Sequence, residues 1–199
     1  MNSYKTIQEP LESDILKIKK SKFIGYACPV DSIEAVKAAL IQIKSEHPLA
    51  SHWCYAYSIG IENPQIKAND DGEPSNSAGK PILGQIQAFD LSNVLVIVIR
   101  YYGGTKLGVG GLISAYKESA KLTLSSAVIT EKELTKGIYL KFKYDHLNPV
   151  MRTIKQYQLE ITEQVMEMDC TITVKIPKRT YNEVLGKFQG IFGIKVEVL

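Results

Sequence analysis

Little in this chain of 199 residues is abundant enough to announce a function, and its shortages do the first sorting. It has three cysteines, Cys28, Cys54 and Cys170, which are odd in number, far apart and without a C-x-x-C pair. That excludes a disulfide framework and a zinc knuckle, and it fits a reducing cytoplasm. The longest aliphatic run, "VLVIVI" at 94–99, falls far short of the ~18 residues of a membrane span. The polar start "MNSYKTIQEP" lacks the apolar core of a signal peptide, so the expectation is a cytoplasmic protein with no membrane partner. Charge of one sign is scarce as well: 24 Lys and Arg face 21 Asp and Glu. Divided at residue 130, the chain carries 13 basic and 12 acidic residues before that point and 11 and 9 after it. Neither part is a basic tail, so any nucleic-acid footprint is a local patch, and DNA is not expected as a partner. There is no solenoid repeat, P-loop, G-x-S-x-G elbow, H-E-x-x-H helix or calcium loop. Neither a cofactor nor a resident metal is expected.

What remains is ordinary amphipathic patterning, long enough for one large or two small cores, since domains run to ~100–150 residues. "DILKIKKSKFIGYACPV" reads as a strand pair, with Leu16 and Ile18 on one parity. Asp31 reads as the N-cap of a helix over "SIEAVKAALIQIKSEH", which His47-Pro48 ends. "SHWCYAYSIGI" is a strand with Trp53, Tyr55 and Tyr57 on one parity and His52 and Cys54 on the other. Ser77 is the candidate cap of a modest helix, "AGKPILGQIQAF". "NVLVIVIR" reads as a strand buried on both faces, and "LISAYKESAKLTLSSA" as a helix packed through small residues. The last third runs strand, helix, strand, strand, helix, strand: the split βαβ order of a ferredoxin-like domain. The charged stretch "TEKELTKG", residues 130–137, is the natural junction.

Two loops carry the candidate chemistry. "NDDGEPSNSAGKP", residues 69–81, sets Asp70, Asp71 and Glu73 among turn formers. Such carboxylates serve as an internally bonded or solvated loop, as a ligand-contact surface, or as a water-bridged magnesium site or base, and the sequence leaves these readings open. His52 and Cys54, two apart on a strand, read as a packed hydrogen-bonded pair, because a zinc site needs further ligands. The second loop, "YYGGTKLGVGG", offers Gly103, Gly104, Gly108, Gly110 and Gly111 for close backbone approach, Arg100 and Lys106 for positive charge, and Tyr101 and Tyr102 for stacking on a base. It is read either as an anion or RNA contact or as a structural turn. The two loops are expected side by side, since both follow strands and their charges are opposite.

The segments "HWCYA", "NDDGEPSNSAGKPIL" and "NVLVIVIRYYGGTKLGVGGLISAY", together with the C-terminal part of the chain, resemble the IMPACT family in its two-domain bacterial, YigZ-like form. The resemblance spans nearly the whole chain. It implies an α+β protein: an N-terminal domain over 1–133 with the ribosomal-protein fold also seen in elongation factor G, and a ferredoxin-like C-terminal domain over 134–199. The family pattern D-D-G-E-P-S-G-T-A-G is met with Asn76 and Ser77 in place of Gly and Thr. Eukaryotic relatives regulate translation by competing for an activator of the amino-acid-starvation kinase; their partner-binding extension is not evident here, so that mechanism is not carried over.

The leading expectation is a non-catalytic cytoplasmic protein that acts on translation by binding RNA or the ribosome. Arg100, Tyr101, Tyr102, Lys106 and the five glycines would make the contact, while His52, Asp70, Asp71, Glu73, Ser75 and Ser77 would organise the loops. Two other classes compete. One is an enzyme acting on a phosphorylated small molecule in a cleft between the loops; the other is a regulator with a protein partner, which needs an exposed apolar patch.

Overall fold

The structure, a computed structural model, describes residues 2–199 and divides into two compact units. One is Tyr4–Lys132; the other is Glu133–Leu199 with Asn2 and Ser3.

In the first unit the run at 94–99 explains the architecture. It lies in β7 (Val94–Tyr101), the middle strand of a sheet ordered β2-β4-β7-β5-β6, where β2 is Leu11–Glu12, β4 Ser21–Pro29, β5 His52–Ile59 and β6 Gln65–Asn69. A short β3 (Leu16–Ile18) also pairs with β4, and every neighbouring pair is antiparallel. Side chains alternate across a strand. Val94, Val96 and Val98 therefore bury against α2 (Gly79–Ala88) and α3 (Gly108–Ser126), and Leu95, Ile97 and Ile99 against α1 (Ile33–Glu46). Both faces are covered, so the strand has no polar parity, as its sequence indicates. Helix α3 sits tightly on β4 at Gly25, where a Cβ would come within 1.8 Å of Thr123 Oγ1. Outside the sheet, β1 (Ser3–Ile7) pairs with β8 (Ile129–Glu133).

The second unit contains β9 (Thr135–Lys143), α4 (Leu147–Gln156), β10 (Glu160–Val165), β11 (Asp169–Pro177), α5 (Tyr181–Gln189) and β12 (Lys195–Val198). Its sheet order is β10-β11-β9-β12, antiparallel throughout. This is the ferredoxin-like arrangement. Ile138, Leu140 and Phe142 of β9 and Cys170, Ile172, Val174 and Ile176 of β11 form its core with Val150 and Ile154 of α4 and Val184 and Phe188 of α5. Among the described residues no helix is long and apolar enough to cross a membrane.

Three local expectations need correction. Ser32, not Asp31, caps α1, its side chain accepting from the Ala35 amide. Strand β6 intervenes between β5 and the acidic loop; it is almost wholly exposed, and its apolar alternation is limited to Ile66 and Ala68. Helix α3 begins at Gly108, so three of the five glycines lie in its first turn rather than in the loop. The units divide between Lys132 and Glu133, inside the charged stretch 130–137, of which β8 and β9 occupy all but Leu134.

Candidate functional site

Antiparallel pairing brings the two loops together. The start of β5, the end of β6 and the end of β7 fall at one end of the sheet, with His52 opposite Arg100 and Tyr55 opposite Asn69. The acidic loop leaves β6 there and the glycine-rich loop leaves β7 there. Their side chains meet where Arg100 Nη1 donates to Glu73 Oε1.

Each carboxylate has a separate internal task. Asp70 Oδ1 accepts from the amides of Ala78 (3.0 Å) and Gly79 (2.8 Å), and its Oδ2 accepts from Asn76 N at 2.9 Å. An anion is thereby set at the positive end of α2. This replaces the expected Ser77 cap: the buried Ser77 hydroxyl donates instead to the Pro74 carbonyl at 2.6 Å, and Ala78 occupies the cap position. Asp71 Oδ2 accepts from Trp53 N at 2.8 Å, and its Oδ1 lies 3.6 Å from Lys44 Nζ. Glu73, 5% exposed, binds Arg100 and also accepts from Tyr116 Oη at 2.8 Å. Asn76 sits at φ 61°, a left-handed conformation that Gly and Asn tolerate, so the replacement of the family's Gly by Asn keeps the loop path. Ser75 is exposed, and its hydroxyl accepts from the Asn76 side chain at 3.2 Å.

His52 and Cys54 serve the same loop, each bonding to it rather than to the other. His52 Nδ1 donates to the Asp71 carbonyl at 2.8 Å, which turns Nε2 toward Glu73 Oε1 at 3.9 Å. Cys54 Sγ donates to the Asp70 carbonyl at 3.0 Å. Burial pushes the Cys54 thiol up to about 12, with the nearby carboxylates of Glu73, Asp71 and Asp70 adding to the shift. Burial also drives the Tyr116 hydroxyl far above its ordinary range, so at neutral pH it acts only as a neutral donor. Among the described residues no three His, Cys, Asp or Glu side chains gather as a metal would require.

The glycine-rich loop divides into support and surface. Arg100 is 4% exposed and continues the parity of Val96 and Val98, so it points into the domain; its charge is held by Glu73 rather than offered at the surface. Its guanidinium lies 5.5 Å from the Phe23 ring and 5.2 Å from the Tyr102 ring. Tyr101 has the opposite parity, and its hydroxyl meets His47 Nδ1 at 2.9 Å on the α1 side, which removes it from the contact surface. Gly103 is wedged against the β3–β4 turn: a Cβ there would lie 2.1 Å from the Lys20 carbonyl carbon. Gly104 and Gly108 carry φ of 79° and 72°, and Gly110 and Gly111 stand in the first turn of α3. Tyr102 and Lys106 are exposed and line a cleft of about 480 Å³ with His52, Glu73, Pro74 and Leu107.

The sequence reading missed the β3–β4 turn as a surface. Lys17, Lys19, Lys20 and Lys22 are all exposed, and the contact with Gly103 ties this turn to the loop. Four lysines in "KIKKSK" were the available signal, of which only Lys17 and Lys19 were read, as the polar parity of a strand.

Fold and site together define a class: an α+β protein of two compact units, the second with a ferredoxin-like arrangement, and in the first an acidic loop bonded from within beside a glycine-rich one. The chain belongs to the IMPACT family, and residues 19–124 match the Impact N-terminal domain. It is 37% identical over 163 residues to IMPACT family member YvyE of Bacillus subtilis, covering 82% of this chain and 75% of that protein. It is 32% identical over 173 residues to IMPACT family member YigZ of Escherichia coli, covering 86% and 85%. A crystal structure of a protein described as hypothetical superposes on all of this chain and 98% of its own, with a TM-score of 0.79 and 28% identity.

Proposed function

We propose that this protein is a non-catalytic regulator in translation that binds RNA or the ribosome with the loop end of its first domain. Its resemblance to translation-factor domains supports the setting, and the β3–β4 turn carries the contact. Lys17 and Lys22 are paired directly across the hairpin, a like-charge arrangement that disfavours folding. Lys19 and Lys20 form the two-residue turn at φ 43° and 68°, a conformation that costs about 1–2 kcal/mol for each residue with a side chain. None of the four, nor Lys106, has an ion-pair partner among the described residues. In the acidic loop Asp71 and Glu73 already face Lys44 and Arg100, and Asp70 is taken up by three backbone amides. A cluster that opposes folding and lacks an internal partner fits a polyanion outside the chain.

The experiment is fluorescence anisotropy with a single-stranded oligoribonucleotide, started at low ionic strength and repeated across a salt series. Each phosphate contact contributes about −0.7 to the slope of log affinity against log salt. Lys106→Ala is expected to weaken binding across sequences and flatten the slope. Tyr102→Ala is expected to cost roughly 1–3 kcal/mol through lost stacking while leaving the slope nearly intact. Absence of RNA and ribosome association even at low salt overturns the proposal.

A further inference from the structure

We propose that this protein pairs with a second copy of itself through an apolar patch at one end of its second unit. Strand register gathers the patch. Val165 of β10 stands opposite Thr171, Asp169 of β11 opposite Lys143, and Lys195 of β12 opposite Lys141. The end of β9, the β10–β11 turn and the loop before β12 therefore lie at the same end of the sheet. Large apolar side chains are left in solvent there: Phe192 is 91% exposed, Met168 90% and Tyr144 61%, and Val165 and Met166 are exposed as well. Four strands at a spacing of about 4.8 Å put them within a width of ~14 Å. Single apolar residues scattered over a surface need no explanation, but a cluster of this kind marks an interaction site.

The backbone beneath these side chains is held from inside the unit. Buried Cys170 donates its thiol to the Glu167 carbonyl at 3.2 Å, which fixes the β10–β11 turn between Met166 and Met168. Gly193, next to Phe192, has φ 80°, and a Cβ there would come within 2.5 Å of His146 Nε2. That close approach seats the Phe192 loop against the turn Tyr144–His146. The patch is presented ready-made, so a partner orders little chain by binding it. Its rim decides the occupant. Lys143 and Lys195 stand with Asp145, Glu167 and Asp169, all exposed. A majority of carboxylates disfavours RNA and anionic lipid, whereas a rim carrying both signs meets its own copy under two-fold symmetry, lysine to carboxylate. The area agrees. Phe192 and Tyr144 alone offer on the order of 300 Å², taken from about 150–250 Å² for a whole aromatic side chain. With the other three residues and the rim, and doubled in a two-fold contact, the interface approaches the ~1,200 Å² at which specific association begins. The inference concerns the second unit alone and stands independently of the RNA reading.

The test is sedimentation velocity of the full chain from about 1 μM to about 200 μM, where monomer is expected to pass into dimer, since an interface of this size gives micromolar affinity. Phe192→Asp and Met168→Asp change side chains that are almost wholly in solvent, so each is expected to keep the parent's urea stability and to weaken dimerisation at least about tenfold. Leu49→Asp, at an equally exposed apolar position of the first unit, is expected to leave dimerisation unchanged. A parent that stays monomeric at every concentration overturns the inference. If that monomer pellets with vesicles of phosphatidylcholine and phosphatidylglycerol and Phe192→Asp does not, the patch serves a lipid surface instead. A parent that dimerises while either patch variant dimerises as tightly, or while Leu49→Asp loses dimerisation, overturns it too, because the contact then lies elsewhere.

Discussion

Replacing Lys19 by Asn and Lys20 by Gly is expected to stabilise the first domain while weakening its hold on RNA. Both lysines lie in the left-handed region, at φ 43° and 68°, in a two-residue hairpin turn for which Asn-Gly is the preferred pair. Removing side chains from that conformation recovers about 1–2 kcal/mol at each position, and Asn retains part of the penalty. Glycine in turn costs roughly 0.5–1 kcal/mol in backbone freedom. Relief of like charge next to Lys17 and Lys22 returns a few tenths of a kcal/mol. The net expectation is a gain of about 1–2 kcal/mol, read by urea unfolding. Trp53, the chain's single tryptophan, lies on β5 of the first domain, so its fluorescence reports this transition alone. In the anisotropy assay the same variant should lose up to two phosphate contacts, flattening the salt slope by as much as ~1.4. A variant as stable as the parent refutes the strain argument; a more stable variant with unchanged affinity and slope refutes the functional reading of the lysines.

The remaining predictions concern the site's support. Glu73→Gln keeps an acceptor for Tyr116 but leaves Arg100 buried without its counter-charge, so a loss of about 3 kcal/mol in urea is expected, and pairing it with Arg100→Met should recover part of that loss. Destabilisation below ~0.5 kcal/mol would show that the pair is dispensable. Burial raises Cys28 to about 11 and Cys54 to about 12, above the ordinary 9.0, so the stability these thiols contribute is full below pH 9 and is lost as pH rises through their folded values. The decline is about 1.4 kcal/mol per pH unit for each thiol, and Trp53-monitored stability that stays flat from pH 9 to 11 contradicts it. For the domain boundary, a fragment of residues 134–199 is expected to unfold cooperatively by circular dichroism, because the apolar core of its sheet and helices lies within 138–196; a fragment without a transition argues against independent domains.

The ferredoxin-like domain was legible throughout because each of its central strands has one buried face, so the period of two survives in the residue types, as at Ile138, Leu140 and Phe142. Strands β1, β6 and β8 were not read, because short or exposed pairing leaves at most a brief apolar alternation to find, such as Ile66 and Ala68 of β6. The proximity of the loops followed from opposite charges after strands. The roles within them did not. Arg100 looked like a surface cation, although its parity with Val96 and Val98 already directs it inward. Asp70 as the α2 cap is a contact eight or nine residues long in sequence, beyond the reach of local cap patterns. The strained lysine turn is a matter of φ, and lysine at those positions gives no sign of it.

The most direct test of the central claim is co-sedimentation of the intact protein with purified ribosomes at low ionic strength, comparing the parent chain with a variant carrying Gln at positions 17, 19, 20 and 22. The lysine hairpin account predicts that the parent pellets with ribosomes in a salt-sensitive manner and that the variant, folded by its Trp53 fluorescence, stays in the supernatant. A parent that stays in the supernatant, or a variant that pellets as the parent does, contradicts it.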